Sequence, residues 1–134
     1  MLFRSAGSPD HVTRLGDAVT DETPIATLSA PFSGDPADPA RVKVTTDARG
    51  RALYFSRLPL PLARLHLGLY AFSADALAAC AALPPSPLEL AERLEQLRWL
   101  EAGWAIRVVQ VASGGMSVDT PADLERARRL AVEG

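Results

Sequence analysis

The sequence predicts an α/β domain, and three observations carry that reading. In the second half of the chain, strand-patterned segments alternate with helix-patterned ones, the order expected of a sheet covered by helices. Trp104–Val111 is a nearly continuous apolar run of strand length, the pattern of a buried strand. The chain has 134 residues, 48% of them hydrophobic, enough for one sizeable core and too apolar for disorder throughout.

Met1 to Glu22 mixes Gly, Ser, Pro and scattered charge with weak periodicity. It reads as loop, or as a frayed helix around His11–Leu15, with His11 a surface residue. Residues 1–23 are therefore expected to form a poorly structured segment ahead of a domain at 24–134. The opening Leu2-Phe3-Arg4-Ser5 resembles the translation of a common sequencing adapter, and the chain is expected to begin at a truncation point.

Ile25–Ser29 is a short strand ended by Ala30-Pro31, and Ser33–Ala40 is a Pro/Asp/Gly loop. Arg41–Thr46 and Arg51–Ser56 read as two strands of a hairpin, joined by Asp47-Ala48-Arg49-Gly50 with Gly at the end of the turn. Leu58-Pro59-Leu60-Pro61-Leu62 cannot be a central strand. Leu65–Phe72 alternates, placing His66, Gly68, Tyr70 and Phe72 on one side and Leu65, Leu67 and Leu69 on the other. Ser73 caps a helix from Ala74 to about Leu83.

Ser86 then reads as the N-cap of a helix over 87–102, with Pro87 at the first helical position, Glu89 completing a capping box, and Gly103 at the C-terminal stop. Leu90, Leu94, Leu97 and Leu100 form its apolar stripe and are the expected core face. Leu88, Glu95 and Trp99 lie together on the far side, with Gln96 beside the stripe. That second face is expected to meet a partner subunit or a ligand, a half-exposed tryptophan being the plainer alternative. After Ser113-Gly114-Gly115, Thr120-Pro121-Ala122-Asp123 caps a last helix reaching about Val132.

Several function classes are disfavoured. No apolar run reaches membrane-spanning length. A single cysteine, Cys80, rules out a disulfide within the chain, fits a reducing cytoplasm, and is expected to pack as a small hydrophobe. The net charge of −2 gives no global footprint for nucleic acid. There is no phosphate-binding Walker loop, no GxGxxG and no nucleophile elbow.

The candidates for chemistry are few. Asp119 follows a Gly-rich loop after an apolar strand, and ligands bind at the carboxyl ends of strands in open α/β sheets. A carboxylate there can hold Mg²⁺, or it can simply supplement the cap at Thr120. His66 and Tyr70, four apart on one strand face, can offer an imidazole and a phenol to a polar ligand, although a lone strand histidine is more often structural. Arg57, at the hairpin's exit, can clamp a carboxylate or form a weak surface ion pair.

Taken together, Arg41-Val-Lys-Val44, Gly50-Arg-Ala-Leu-Tyr-Phe-Ser-Arg57, His66-Leu-Gly-Leu-Tyr-Ala-Phe72, Pro84-Pro-Ser-Pro-Leu-Glu89, Leu94-Glu-Gln-Leu-Arg98 and Val118-Asp-Thr-Pro-Ala-Asp-Leu124 resemble, in order, the C-terminal half of the 3-deoxy-manno-octulosonate cytidylyltransferases (CMP-Kdo synthetases). The resemblance implies a mixed sheet with flanking helices, the C-terminal portion of a nucleotide-diphospho-sugar-transferase-like (Rossmann-like) fold. It implies an enzyme that activates the acid sugar Kdo with CTP, releasing pyrophosphate, for lipopolysaccharide assembly. By match, Arg57, His66, Tyr70, Glu95 and Gln96 would bind Kdo, Asp119 would be one of two Mg²⁺ carboxylates, and the region of helix 87–102 would form a homodimer. The family's Gly/Arg/Lys nucleotide loop and its Gln-Gly-Asp-Glu-Pro segment have no counterpart here, and Leu65 stands where the family usually has a basic residue. The polypeptide alone is therefore expected to be inactive. The alternatives are a cytidylyltransferase for another acidic sugar, or a non-catalytic sugar-binding and dimerisation module.

Overall fold

A computed structural model describes residues 9–112. In chain order these form α1 (Pro9–Asp17), β1 (Ile25–Ala30), β2 (Lys43–Thr46), β3 (Ala52–Ser56), β4 (Arg64–Phe72), α2 (Ala74–Ala81), α3 (Pro87–Glu92), α4 (Gln96–Glu101) and β5 (Ile106–Gln110). The strands make one five-stranded sheet in the order β3-β2-β4-β1-β5. β5 runs parallel to β1 while β1–β4, β2–β3 and β2–β4 are antiparallel, so the sheet is mixed, as expected. The expected last helix, the loop before it and Asp119 lie outside the described residues.

The sheet has an apolar layer on each face, which is why every residue of β1, lying between β4 and β5, is buried. On one face Ile25, Phe55, Tyr70, Cys80, Leu97, Trp99 and Ile106 pack together. On the other, Leu15 of α1 packs with Leu28, Leu69 and Val111. Residues 9–17 are thus a formed helix where loop or frayed helix was expected, because Leu15, 1% exposed, docks it against the sheet. The Arg14 guanidinium adds a hydrogen bond to the Gln110 carbonyl at 2.6 Å. His11, expected at the surface, is half-buried, with Nδ1 shielded from solvent.

The hairpin forms as its turn chemistry requires. Asp47 Oδ1 accepts the backbone N–H groups of Arg49 and Arg51 at 2.8 and 2.9 Å, which holds its carboxyl below the usual carboxylate range, and Gly50 takes the left-handed φ of 80°. Lys43 within it is 1% exposed, and its ammonium donates to the carbonyls of Asp38 and Arg57 at 2.8 and 2.6 Å. A buried ammonium is tolerated when such partners replace water. β5 is shorter than the run Trp104–Val111, and Arg107 and Gln110 are exposed while Ile106 and Val108 point into the core.

β4 alternates as its sequence implies, but not regularly. Thr27 pairs with Tyr70 and Ser29 with His66, so the three residues Leu67–Leu69 stand opposite Leu28 alone. Gly68 takes φ 75° in this bulge. A Cβ at Gly68 would meet nothing within 4 Å, so backbone strain is the whole cost of adding one. Gly68→Ala is therefore expected to destabilise the fold by about 1–2 kcal/mol in urea unfolding; no loss of stability would show that the bulge relaxes freely.

The single helix expected over 87–102 is two. The capping box is present, with the Ser86 hydroxyl accepting from Glu89 N–H and the Glu89 carboxylate accepting from Ser86 N–H. Arg93 then adopts left-handed φ 60°, ψ 44° and ends α3, and α4 starts at Gln96. The break rotates the two halves relative to each other. Leu90 leaves the expected core stripe and is 67% exposed, while Leu94 and Leu97 are buried. Trp99, expected on a partner or ligand face, is 7% exposed, edge-on to Tyr70 and Phe72 at centroid distances of 5.0 and 5.1 Å. It packs in the core and, with Glu95 and Gln96, lines a cavity on that face of the sheet, so it is the partner contact that moves: the outward apolar face belongs to Leu88 and Leu90 of α3. Arg93 has ordinary helix propensity, so local preference does not account for the break. Gly103 does take the positive φ expected of a helix stop.

Candidate functional site

On the Trp99 face of the sheet lies a cavity of about 650 Å³. Arg57 at the end of the hairpin, His66 and Tyr70 of β4, Glu95 in the turn before α4, and Gln96 at its start all line it. The structure thus brings together all five residues singled out for sugar binding, from positions 39 apart at the extremes (57 and 96). Two elements account for this. The hairpin delivers Arg57 to the mouth, and the left-handed break at Arg93 turns the chain so that Glu95 and Gln96 follow into the wall.

His66 is buried and fixed by its neighbours. Its Nε2 lies 2.9 Å from Thr27 Oγ1, and the Thr27 hydroxyl is 2.6 Å from the Leu69 carbonyl freed by the bulge. A hydroxyl has one proton, and that carbonyl can only accept, so Thr27 donates to Leu69 and accepts from His66 Nε2–H. Nε2 is thereby the donor nitrogen of His66 in this contact. Phe55 packs edge-on against the imidazole at 4.9 Å, and Tyr70 lies 5.5 Å away on the other side.

Arg57 is not in an ion pair among the described residues. It donates to the carbonyls of Pro39 at 2.9 Å and Arg93 at 3.2 Å, which orients the guanidinium and leaves its charge unneutralised. Arg93 also lines the cavity and likewise has no carboxylate partner among the described residues. Arg98, a third lining cation, is held fork-to-fork by Glu89 at 2.7 and 2.6 Å. That bond keeps the Glu89 carboxyl below its usual range and staples α3 to α4. Glu95 is exposed and makes no side-chain cap bond, while Gln96 is buried. Among the described residues the wall is therefore cationic on balance, with an amide, an imidazole, a phenol and one carboxylate among its polar groups.

Cys80 also lines the cavity; burial pushes its thiol up to about 11, so it behaves as the small hydrophobe expected. No group of three or more His, Cys, Asp or Glu side chains that could hold a metal ion occurs among the described residues, and the expected Mg²⁺ ligand Asp119 lies outside them. The sequence reading missed Lys43, Thr27 and Glu92. Each is an ordinary strand or helix residue by pattern, and its role appears only when distant segments meet it. For Lys43 there was one signal, since it is the single lysine among fourteen cations.

No family model matches the chain. Among curated proteins it is 46% identical over 136 residues to the 3-deoxy-manno-octulosonate cytidylyltransferase of Anaeromyxobacter sp. (strain Fw109-5), an alignment spanning 94% of this chain and 56% of that protein. To the enzyme of the same name from Chlorobaculum tepidum it is 51% identical over 102 residues, 69% of this chain and 41% of the relative. The solved structure of CMP:2-keto-3-deoxy-manno-octonic acid synthetase complexed with CTP superposes with a TM-score of 0.78 at 40% identity, covering 96% of this chain and 58% of the other. The chain spans about half the length of the curated relatives it matches. In sequence and in fold alike, it matches the 3-deoxy-manno-octulosonate cytidylyltransferase family over that span.

Proposed function

We propose that this protein is a cytidylyltransferase that activates Kdo with CTP, giving CMP-Kdo and pyrophosphate for lipopolysaccharide assembly in the cytoplasm, and that these residues supply its sugar-binding and dimerising half. The observation that carries the reading is the convergence of Arg57, His66, Tyr70, Glu95 and Gln96 on one cationic cavity. Kdo offers a carboxylate, which suits the guanidinium of Arg57, and several hydroxyls, which suit Glu95, Gln96, His66 and Tyr70. The Nε2–H bond to Thr27 fixes the His66 imidazole in the wall, where it can face a polar group of the sugar. Asp119 remains the candidate ligand for Mg²⁺, whose charge would offset that of the triphosphate. The exposed Leu88 and Leu90 of α3, in place of Trp99, are the apolar side chains we assign to a homodimer contact.

Two measurements test this. Mixed with CTP, Mg²⁺ and Kdo, the 134-residue polypeptide by itself should release no pyrophosphate beyond an Asp119→Ala control. Release above that control would refute its dependence on the rest of the relatives' length. In a binding panel Kdo should be preferred to N-acetylneuraminate by roughly tenfold or more, because wall groups matched to one hydroxyl pattern are left unpaired by another. Equal or reversed preference would point to a different acidic sugar.

A further inference from the structure

We propose that Glu92, with Tyr54 and Ser56, forms a latch whose role is to position Glu95 and Gln96 in the cavity wall, so that three residues with no place in the wall govern its affinity. The proposal rests on the sugar-binding reading above and adds residues to it.

The geometry is specific. Glu92 is the last residue of α3, and its two carboxylate oxygens are each used: Oε2 accepts from the Tyr54 hydroxyl at 2.7 Å and Oε1 from the Ser56 hydroxyl at 2.8 Å. Ser56 is buried, and its oxygen accepts the Leu58 N–H at 3.0 Å, so its one proton is free to go to Glu92. Both donors sit on β3, two residues apart and hence on one face of the strand. The next residue along the chain from Glu92 is the left-handed Arg93, and Glu95 and Gln96 follow it.

α3 needs such a tie. It is six residues long and buries none of them, so neither helix cooperativity nor apolar docking holds it in place. Its polar attachments do: the Glu89–Arg98 fork to α4, Leu88 N–H to Glu101, Arg57 to the Arg93 carbonyl, and the latch. Of these, the latch alone joins the α3 side chains to the sheet. Left-handed backbone at a non-glycine residue is costly and persists only where surrounding bonds impose it. Without the latch Arg93 can relax toward ordinary helix, which would swing Glu95 and Gln96 out of register with His66 and Arg57. The Tyr54 hydroxyl is pushed up to about 12, because it is desolvated and a phenolate there would face the Glu92 carboxylate. Tyr54 therefore keeps its donor proton across the neutral range.

The test uses the whole 134-residue chain, with Kdo as the probe and Glu92→Ala, Glu92→Gln and Tyr54→Phe as variants. Binding is measured well below each variant's melting temperature, so that loss of stability alone leaves affinity unmoved. Glu92→Ala should weaken binding by roughly tenfold or more and Tyr54→Phe by about threefold. Glu92→Gln should stay within about threefold of wild type, since its amide can accept from Tyr54 and donate to the Ser56 oxygen. In parallel, hydrogen exchange of the Leu94–Leu97 amides should quicken in Glu92→Ala while the β1 and β5 amides stay protected. A folded Glu92→Ala chain with wild-type affinity overturns the proposal, as does unchanged exchange at 94–97. If the wild-type chain itself fails to bind Kdo, the sugar reading falls, and the latch then stands or falls on the exchange result alone.

Discussion

Trp99→Ala is expected to destabilise the domain by about 3–5 kcal/mol, whereas Leu90→Ala should change stability by no more than about 0.5 kcal/mol. Both residues lie in the stretch that a straight helix would run through, and a straight helix makes the opposite forecast: Leu90 in the core and Trp99 on an outer face. The left-handed residue at Arg93 exchanges their environments. Trp99 fills the space beneath Tyr70 and Phe72, making edge-on contacts with both, so truncation removes apolar burial and two aromatic pairs and leaves a cavity. A loss of that size is a large fraction of a typical domain's total stability, so Trp99→Phe serves as the companion variant, expected to cost about 1–2 kcal/mol. Urea unfolding of the three variants decides the matter. A Leu90→Ala loss as large as that of Trp99→Ala would restore the continuous helix.

The second large effect concerns binding. Arg57→Ala should weaken Kdo affinity by about a hundredfold, because a charge-assisted hydrogen bond to a carboxylate is worth roughly 1.5–3 kcal/mol and the guanidinium can make two. The same substitution should scarcely affect the Kdo methyl ester, which lacks the negative charge. Arg57→Lys should not rescue binding, since the guanidinium reaches Pro39 and Arg93 carbonyls with two separate nitrogens and an ammonium cannot reproduce that fork. An Arg57→Ala chain that loses the acid and the ester equally would show that Arg57 acts through the Arg93 carbonyl and not through the ligand.

What could be read in the sequence was local. The Asp47–Gly50 turn, the Ser86/Glu89 capping box, the Ser73 cap and the two-sided alternation of β4 are all encoded within a few residues, and each is present. The mixed α/β architecture followed from the order of such elements. Positions along the strand, the hairpin exit and the helix face marked the five wall residues as candidates, the family resemblance assigned them to Kdo, and their convergence on one cavity comes from the fold. What escaped was every feature decided by a distant partner. The helix break at Arg93 is supported by bonds from Tyr54, Ser56 and Arg57, some 36 to 38 residues upstream. The β4 bulge is filled by the hydroxyl of Thr27, and the buried Lys43 is satisfied by carbonyls across the loop. The stripe of leucines that suggested one helix was a true apolar pattern whose first member, Leu90, the fold places outside.

The central claim is that this cavity holds an anionic sugar by its carboxylate. Isothermal titration of the folded wild-type chain with Kdo and, separately, with its methyl ester tests it directly. The account predicts about one site per chain for the acid and at least tenfold weaker binding of the ester. A folded chain that gives no binding heat with Kdo, or that takes acid and ester equally well, contradicts it.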